Sequence, residues 1–91
     1  AALIQVTKSQ SIELARYNIC VNALAPGYIL TDINRDQLEG ETGDLLKKKI
    51  PLKRFATVDE LDTIISMLLN SNNTYMTGAV VAVDGGLSTG L

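Results

Sequence analysis

Apolar and polar positions change rhythm several times along the chain, and each rhythm predicts an element. Over residues 1–16, Leu3, Ile4, Thr7, Ser11 and Leu14 fall on one stripe at helical spacing, uninterrupted by Gly or Pro, which predicts a helix. Tyr17-Asn18 reads as a short turn. Ile19–Ala25 is apolar on both alternating faces, the pattern of a buried parallel strand, and Pro26-Gly27 ends it. Residues 32–50 are polar and charged, carry Gly40 and Gly43, and predict short helices in a mobile excursion. Thr57-Val58-Asp59-Glu60 has capping-box spacing, with Thr57 as N-cap and Glu60 three residues on. Val58, Leu61, Ile64, Ile65, Leu68 and Leu69 then give a helix with a wide apolar face, ended by Asn70–Thr74. Ala79–Val83 is a short apolar strand between Gly78 and Gly85-Gly86.

The order helix, strand, excursion, helix, strand implies a βαβ unit with parallel strands. Two parallel strands leave their edges unpaired and do not make a stable sheet alone. The first helix also starts at Ala1 without a capping residue, so its beginning is expected upstream. Residues 1–91 therefore read as part of a larger open α/β sheet.

Composition narrows the function. Apolar residues make up 46% of the 91-residue chain, which fits a globular protein and argues against global disorder. Net charge is −2 with both signs dispersed, and no basic face or stacking aromatics suggest nucleic acid binding. Lys47-Lys48-Lys49 reads as a solvated helix face rather than a phosphate site. A single cysteine, Cys20, fits a reducing, cytoplasmic setting, and the absence of His leaves too few ligands for a Cys/His zinc site and no Ser-His-Asp triad. The opening residues show no signal-peptide pattern. The uncharged stretch Thr63–Val83 is long enough to span a bilayer, but Asn70 to Thr74 and Gly78 break its centre, so no membrane helix is expected. Asn72-Asn73-Thr74 matches a glycosylation sequon and reads as chance without a secretory signal.

In open α/β sheets ligands bind just beyond the carboxyl ends of the strands. That places candidate chemistry in the turn Pro26-Gly27-Tyr28-Ile29-Leu30-Thr31-Asp32. Pro26 fixes a dihedral, Gly27 permits close approach of a flat ligand, and Thr31 offers a hydroxyl. The plainer alternative is a strand-terminating turn followed by a Thr/Asp helix cap.

The stretch Asn18 to Asp32 resembles the segment after the active-site helix in classical short-chain dehydrogenases/reductases. Pro51-Leu52-Lys53-Arg54-Phe55-Ala56-Thr57-Val58-Asp59-Glu60 resembles the family's lead-in to its last helix. Tyr75-Met76-Thr77-Gly78 and Val83-Asp84-Gly85-Gly86 resemble its final strand and tail, and Ala1-Ala2-Leu3-Ile4 the residues following its catalytic Lys. The resemblance covers the whole chain. It implies the C-terminal part of a Rossmann-type doubly wound parallel sheet, an NAD or NADP cofactor, and hydride transfer between an alcohol and a carbonyl. Carried over, it implies that Pro26, Gly27 and Ile29 line the nicotinamide, with Ile29 backbone groups meeting its carboxamide. Thr31 donates its hydroxyl to the carboxamide or pyrophosphate side, Tyr28 lies near the substrate, and Asn22 ties adjacent loops together. Residues 32–50 become the substrate lid. The last helix and strand commonly build a subunit interface in the family, so a homo-oligomer is implied.

The departures matter too. The family's Gly-rich loop, catalytic Ser and Tyr-x-x-x-Lys pair belong upstream, and neither Tyr17, Tyr28 nor Tyr75 stands four before a Lys. No catalytic residue is therefore assigned, and the chain alone is expected to be inactive. Cys20 stands where the family often has Arg, and Phe55-Ala56 where a small or Gly-containing pair is common. Thr31-Asp32-Ile33-Asn34, Glu60-Leu61-Asp62 and Tyr75 to Gly78 resemble most the branch of gluconate, polyol and sugar-acid dehydrogenases, with the 3-oxoacyl reductases close behind. The rival reading is a non-catalytic small binding or subunit-assembly module of the same fold.

Overall fold

The structure is a computed structural model and describes residues 2–89. The elements are α1 (Ala2–Leu14), a 3-10 turn (Ala15–Tyr17), β1 (Ala23–Pro26), α2 (Arg35–Leu38), α3 (Glu41–Lys49), α4 (Val58–Leu69), β2 (Val80–Val83) and a closing 3-10 turn (Leu87–Thr89). β1 and β2 run parallel, with Ala23 opposite Val80 and Pro26 opposite Val83. This is the α/β arrangement with a parallel sheet that the patterning implies. Ala1, where the uncapped helix start was read, lies outside the described residues.

Four boundaries depart from the pattern, the slightest being the start of β2 at Val80 rather than Ala79. β1 begins at Ala23 rather than Ile19 and runs on to Pro26. Residues 19–22 are tied to the 74–79 segment largely through side chains instead of a ladder. The Val21 N–H donates to Thr77 Oγ1 at 3.0 Å, Asn22 Nδ2 donates to the Met76 carbonyl at 2.9 Å, and the Ala79 N–H donates to Asn22 Oδ1 at 3.0 Å. The loop-tying role read for Asn22 is thus visible. α1 ends at Leu14, and Asn18, left-handed at φ 59°, closes the 3-10 turn by donating its N–H to the Ala15 carbonyl.

The stripe read on α1 also changes. Thr7 and Ser11 are its buried residues, each hydroxyl donating at 2.7 Å to a carbonyl of its own helix, while Leu3 and Ile4 stay exposed. The helix approaches the sheet through these small side chains, and a Cβ on Gly78 would stand 2.9 Å from Ser11 Oγ. α4 forms as its capping box dictates: the Glu60 carboxylate accepts the Thr57 N–H at 3.0 Å. Its apolar face is nonetheless only partly covered, and Leu69 is 80% exposed.

The buried apolar side chains among the described residues are Ala23, Ile50 and Phe55. The radius of gyration is 15.7 Å; a compact domain of this length has ~12 Å. The excursion carries short helices, as expected, but its far end is anchored. Ile50 is 2% exposed, and the Leu52 N–H donates to the Gly85 carbonyl at 3.1 Å. A Cβ on Gly85, itself at φ 65°, would meet Ile50 Cγ2 at 2.8 Å. The excursion is therefore anchored at Ile50 and Leu52.

Candidate functional site

The turn after β1 sits beside the carboxyl end of β2. The Gly27 N–H donates to the Val83 carbonyl at 3.0 Å and prolongs the pairing past Pro26, which has no N–H to give. A Cβ on Gly27 would lie 2.8 Å from both Cα and Cβ of Asp84. Strand packing by itself therefore requires glycine there, a reason the sequence reading did not contain.

Beyond Gly27 the chain meets the lead-in to α4. The Ala56 N–H donates to the Tyr28 carbonyl at 3.0 Å, and the Leu30 N–H donates to the Ala56 carbonyl at 2.9 Å, a parallel bridge centred on Ile29 and Ala56. In such a bridge the middle residue's own groups point away. The Ile29 carbonyl accepts Asn34 Nδ2 at 2.9 Å, and its N–H has no partner among the described residues. Asn34 closes the turn from below: its Oδ1 accepts the Thr31 N–H at 2.7 Å, and its own N–H donates to Thr31 Oγ1 at 3.3 Å. Thr31 thus serves as an acceptor inside the turn, and its hydroxyl proton stays available to an outside group.

A groove of about 600 Å³ runs from this turn to the first turn of α4, lined by Leu30, Thr31, Asp32, Arg35, Val58 and Asp59. The structure therefore brings Thr31 to a concave face that Pro26, Gly27, Tyr28 and Ile29 do not line. Pro26 is exposed at the strand end, and Tyr28 is 40% exposed and meets Phe55 on its other side.

A charged pair lies outside this groove, in a separate hollow that Tyr28, Ile50, Asp84 and Gly85 also line. Arg54 Nη1 and Nη2 donate to Glu60 Oε1 and Oε2 at 2.7 and 2.8 Å, a two-pronged pair. The Arg54 hydrogen bond first, and the Thr57 N–H next, pull the Glu60 carboxyl down to about 2, and Glu60 raises the Arg54 guanidinium in turn. Asp84 is held below the ordinary carboxylate range by Ser88, with help from the Gly86 N–H. Lys53 adopts a left-handed φ of 60°, and its Nζ donates to the Lys48 carbonyl at the end of α3 at 2.6 Å. Among the described residues no group of His, Cys, Asp and Glu could hold a metal ion, and no helix is long and apolar enough to cross a membrane.

Sequence reading missed two participants, Asn34 and Phe55. The Thr-x-x-Asn spacing was a usable local signal for Asn34. Phe55 lies 27 positions from Tyr28, and no local pattern links the two.

Comparisons with known proteins define the class. A family profile described as "Enoyl-(Acyl carrier protein) reductase" matches residues 1–88. The chain belongs to the short-chain dehydrogenase/reductase family. It is 41% identical over 87 residues to the 3-oxoacyl-acyl-carrier-protein reductase FabG of Aquifex aeolicus, covering 96% of this chain and 35% of that protein. It is 39% identical over 89 residues to the ribulose-forming D-arabinitol 2-dehydrogenase of Scheffersomyces stipitis, covering 94% and 32%. Among solved structures, a short-chain dehydrogenase family protein of Francisella tularensis superposes with a TM-score of 0.86 at 32% identity, over 97% of this chain and 40% of that one. YwfH, an NADPH-dependent reductase of bacilysin biosynthesis, superposes with a TM-score of 0.86 at 32% identity, over 99% and 38%. The chain spans about a third of the length of the curated relatives it matches.

Proposed function

We propose that this chain is the C-terminal third of an NAD- or NADP-dependent enzyme that interconverts an alcohol and a carbonyl on a polyol, sugar-acid or oxoacyl substrate. The observation that carries the reading is the pair of donors left free at the carboxyl end of β1, the Ile29 N–H and the Thr31 hydroxyl. Both are aimed by a turn that Asn34 and Ala56 hold rigid. Relatives on both the oxoacyl and the polyol side support the substrate range.

The bound cofactor supplies the hydride chemistry. This chain's residues bind and orient it: Ile29 offers its N–H to the carboxamide, and Thr31 donates to the carboxamide or pyrophosphate side. Pro26 and Gly27 form the flat floor below. Tyr28 faces the substrate. The chain brings no Tyr-x-x-x-Lys pair, so the proton steps fall to groups upstream, and the 91 residues alone are inactive. α4 and β2 offer the surface for a homo-oligomer.

The test is Thr31→Val, in the full-length enzyme or in a chimera carrying this chain in place of the matching third of the Aquifex aeolicus reductase. The swap deletes a hydroxyl at nearly constant shape. Losing a hydrogen bond to a charged or strongly polar group costs ~1.5–3 kcal/mol, about ten- to a hundredfold in cofactor affinity. Cofactor titration followed by fluorescence, beside thermal melts, reads it. Unchanged affinity with a lowered melting point would reduce Thr31 to a turn residue and remove the support for the reading.

A further inference from the structure

We infer that Phe55 is a positioning residue for the substrate, the joint through which lid helix α3 is held against Tyr28. The inference rests on the dehydrogenase reading above. Phe55 is the chain's only phenylalanine, and at 7% exposure it is among the most buried side chains of an otherwise open structure. Its ring meets the Tyr28 ring at 6.0 Å between centroids and 63° between planes, an edge-to-face pair. Lys47, in the last turn of α3, places its Nζ 5.3 Å from the Phe55 centroid. Lid, joint and turn therefore form one chain of contacts: Lys47, Phe55, Tyr28.

The joint is fixed on both sides. Arg54 is clasped by Glu60, and Ala56 is bridged to Tyr28 and Leu30 through the backbone. The foot of the lid is fixed as well, because Ile50 is buried beneath Gly85. With its foot and its landing point both held, α3 can swing only about the segment that follows Lys49. Lys47 lies within a turn of that pivot, and its contact with Phe55 is made when α3 is docked and lost when it swings out. A cation on an aromatic face, partly in solvent, is weak enough to break in each turnover. Tyr28 keeps 40% of its surface open, so a ring steered by Phe55 still has a face to offer a substrate.

The experiment uses the full-length enzyme and three variants. Lys47→Met removes the cation from a half-buried helix position while keeping the aliphatic stem, Lys47→Arg keeps it, and Phe55→Leu removes the ring at similar volume. Substrate KM, kcat and cofactor affinity are measured separately, with amide exchange over residues 41–49 with and without substrate. Phe55→Leu is expected to raise substrate KM about two- to tenfold and Lys47→Met about two- to fivefold, with cofactor affinity unchanged. Lys47→Arg should keep the parent KM, and both damaging variants should lose substrate-induced protection in α3. A folded Lys47→Met enzyme with parental KM and protection overturns the inference, and so does a fall in cofactor affinity that parallels the rise in KM. Should Phe55→Leu fail to fold, the two Lys47 variants decide. A parent enzyme that binds no nicotinamide cofactor overturns the dehydrogenase reading itself, a result distinct from a cofactor-binding parent indifferent to all three variants.

Discussion

Two regions of this chain differ in how much of their environment it supplies. In the corner where the Gly27–Thr31 turn, residues 50–56 and the Asp84–Gly86 tail meet, backbone groups are paired across long sequence separations and Ile50 and Phe55 are buried. On the outer faces of α1 and α4, Leu3, Val6, Ile12, Val58, Ile65 and Leu69 are all exposed. On α4 the exposed Val58, Ile65 and Leu69 recur at helical spacing, the mark of a face meant for burial. The corner is completed by residues of this chain alone, while the helix faces are apolar without being covered by it. The geometry of the corner is thus supplied by this chain, and the covering of its helix faces is not.

The largest expected effect follows from the open faces. The isolated 91-residue chain should self-associate or fold poorly, because several side chains worth ~1.5–3 kcal/mol each on burial stand in water. Sedimentation across a dilution series, with amide exchange on the same sample, reads this. A concentration-independent monomer with protected amides in both strands would erase the contrast between the regions.

A paired substitution sharpens the contrast. In the full-length enzyme, Ile50→Ala should cost ~2–5 kcal/mol, the price of a cavity in the corner. Leu69→Ala in the isolated chain should cost little stability and lower its association. Chemical denaturation and light scattering measure the two, and equal losses of stability would refute the distinction drawn here.

The smallest effect is acid sensitivity. The Glu60 carboxyl is lowered from 4.5 to about 2 in the folded chain. A lowered carboxylate contributes stability above its unfolded value and loses that contribution as pH falls from 4.5 towards 2. Both partners are substantially exposed, so the contribution is small. Carboxyl titration by NMR should find the Glu60 midpoint well below 4.5, and Glu60→Gln should flatten that part of the acid limb. A Glu60 midpoint near 4.5 would mean the clasp does not hold in solution.

What could be read in advance follows the range of the interactions. Thr57 and Glu60 announced α4 correctly because a capping box is closed within four residues. β2 was placed to within a residue for the same reason, since glycines bracket it. The start of β1 was misplaced because Ile19 to Asn22 look like strand, yet Thr77 and Asn22 bind that run through side chains. The buried side of α1 was only half read: periodicity gives the faces of a helix but not which neighbour lies against each, and here small hydroxyls face Gly78. At the site, the role of Ile29 was assigned only through the family resemblance, and the turn that carries Ile29 and Thr31 was locatable from Pro26-Gly27 at the strand end. The Ala56 bridge and the Phe55 contact were not, because they join segments about 27 positions apart, beyond the reach of any local pattern.

The close approach of Gly27 to Asp84 bears on how any mutational scan of this turn is interpreted. A side chain at position 27 displaces the tail before it reaches a ligand. A screen that scores catalytic output will rank Gly27 among the sharpest losses and credit it to cofactor recognition, although the first casualty is the seam between the two strand ends. Such a screen separates the two origins only when a second-site change that shortens or loosens residue 84 is tried beside each substitution, since relief by that change marks a fault of assembly and its failure marks one of recognition.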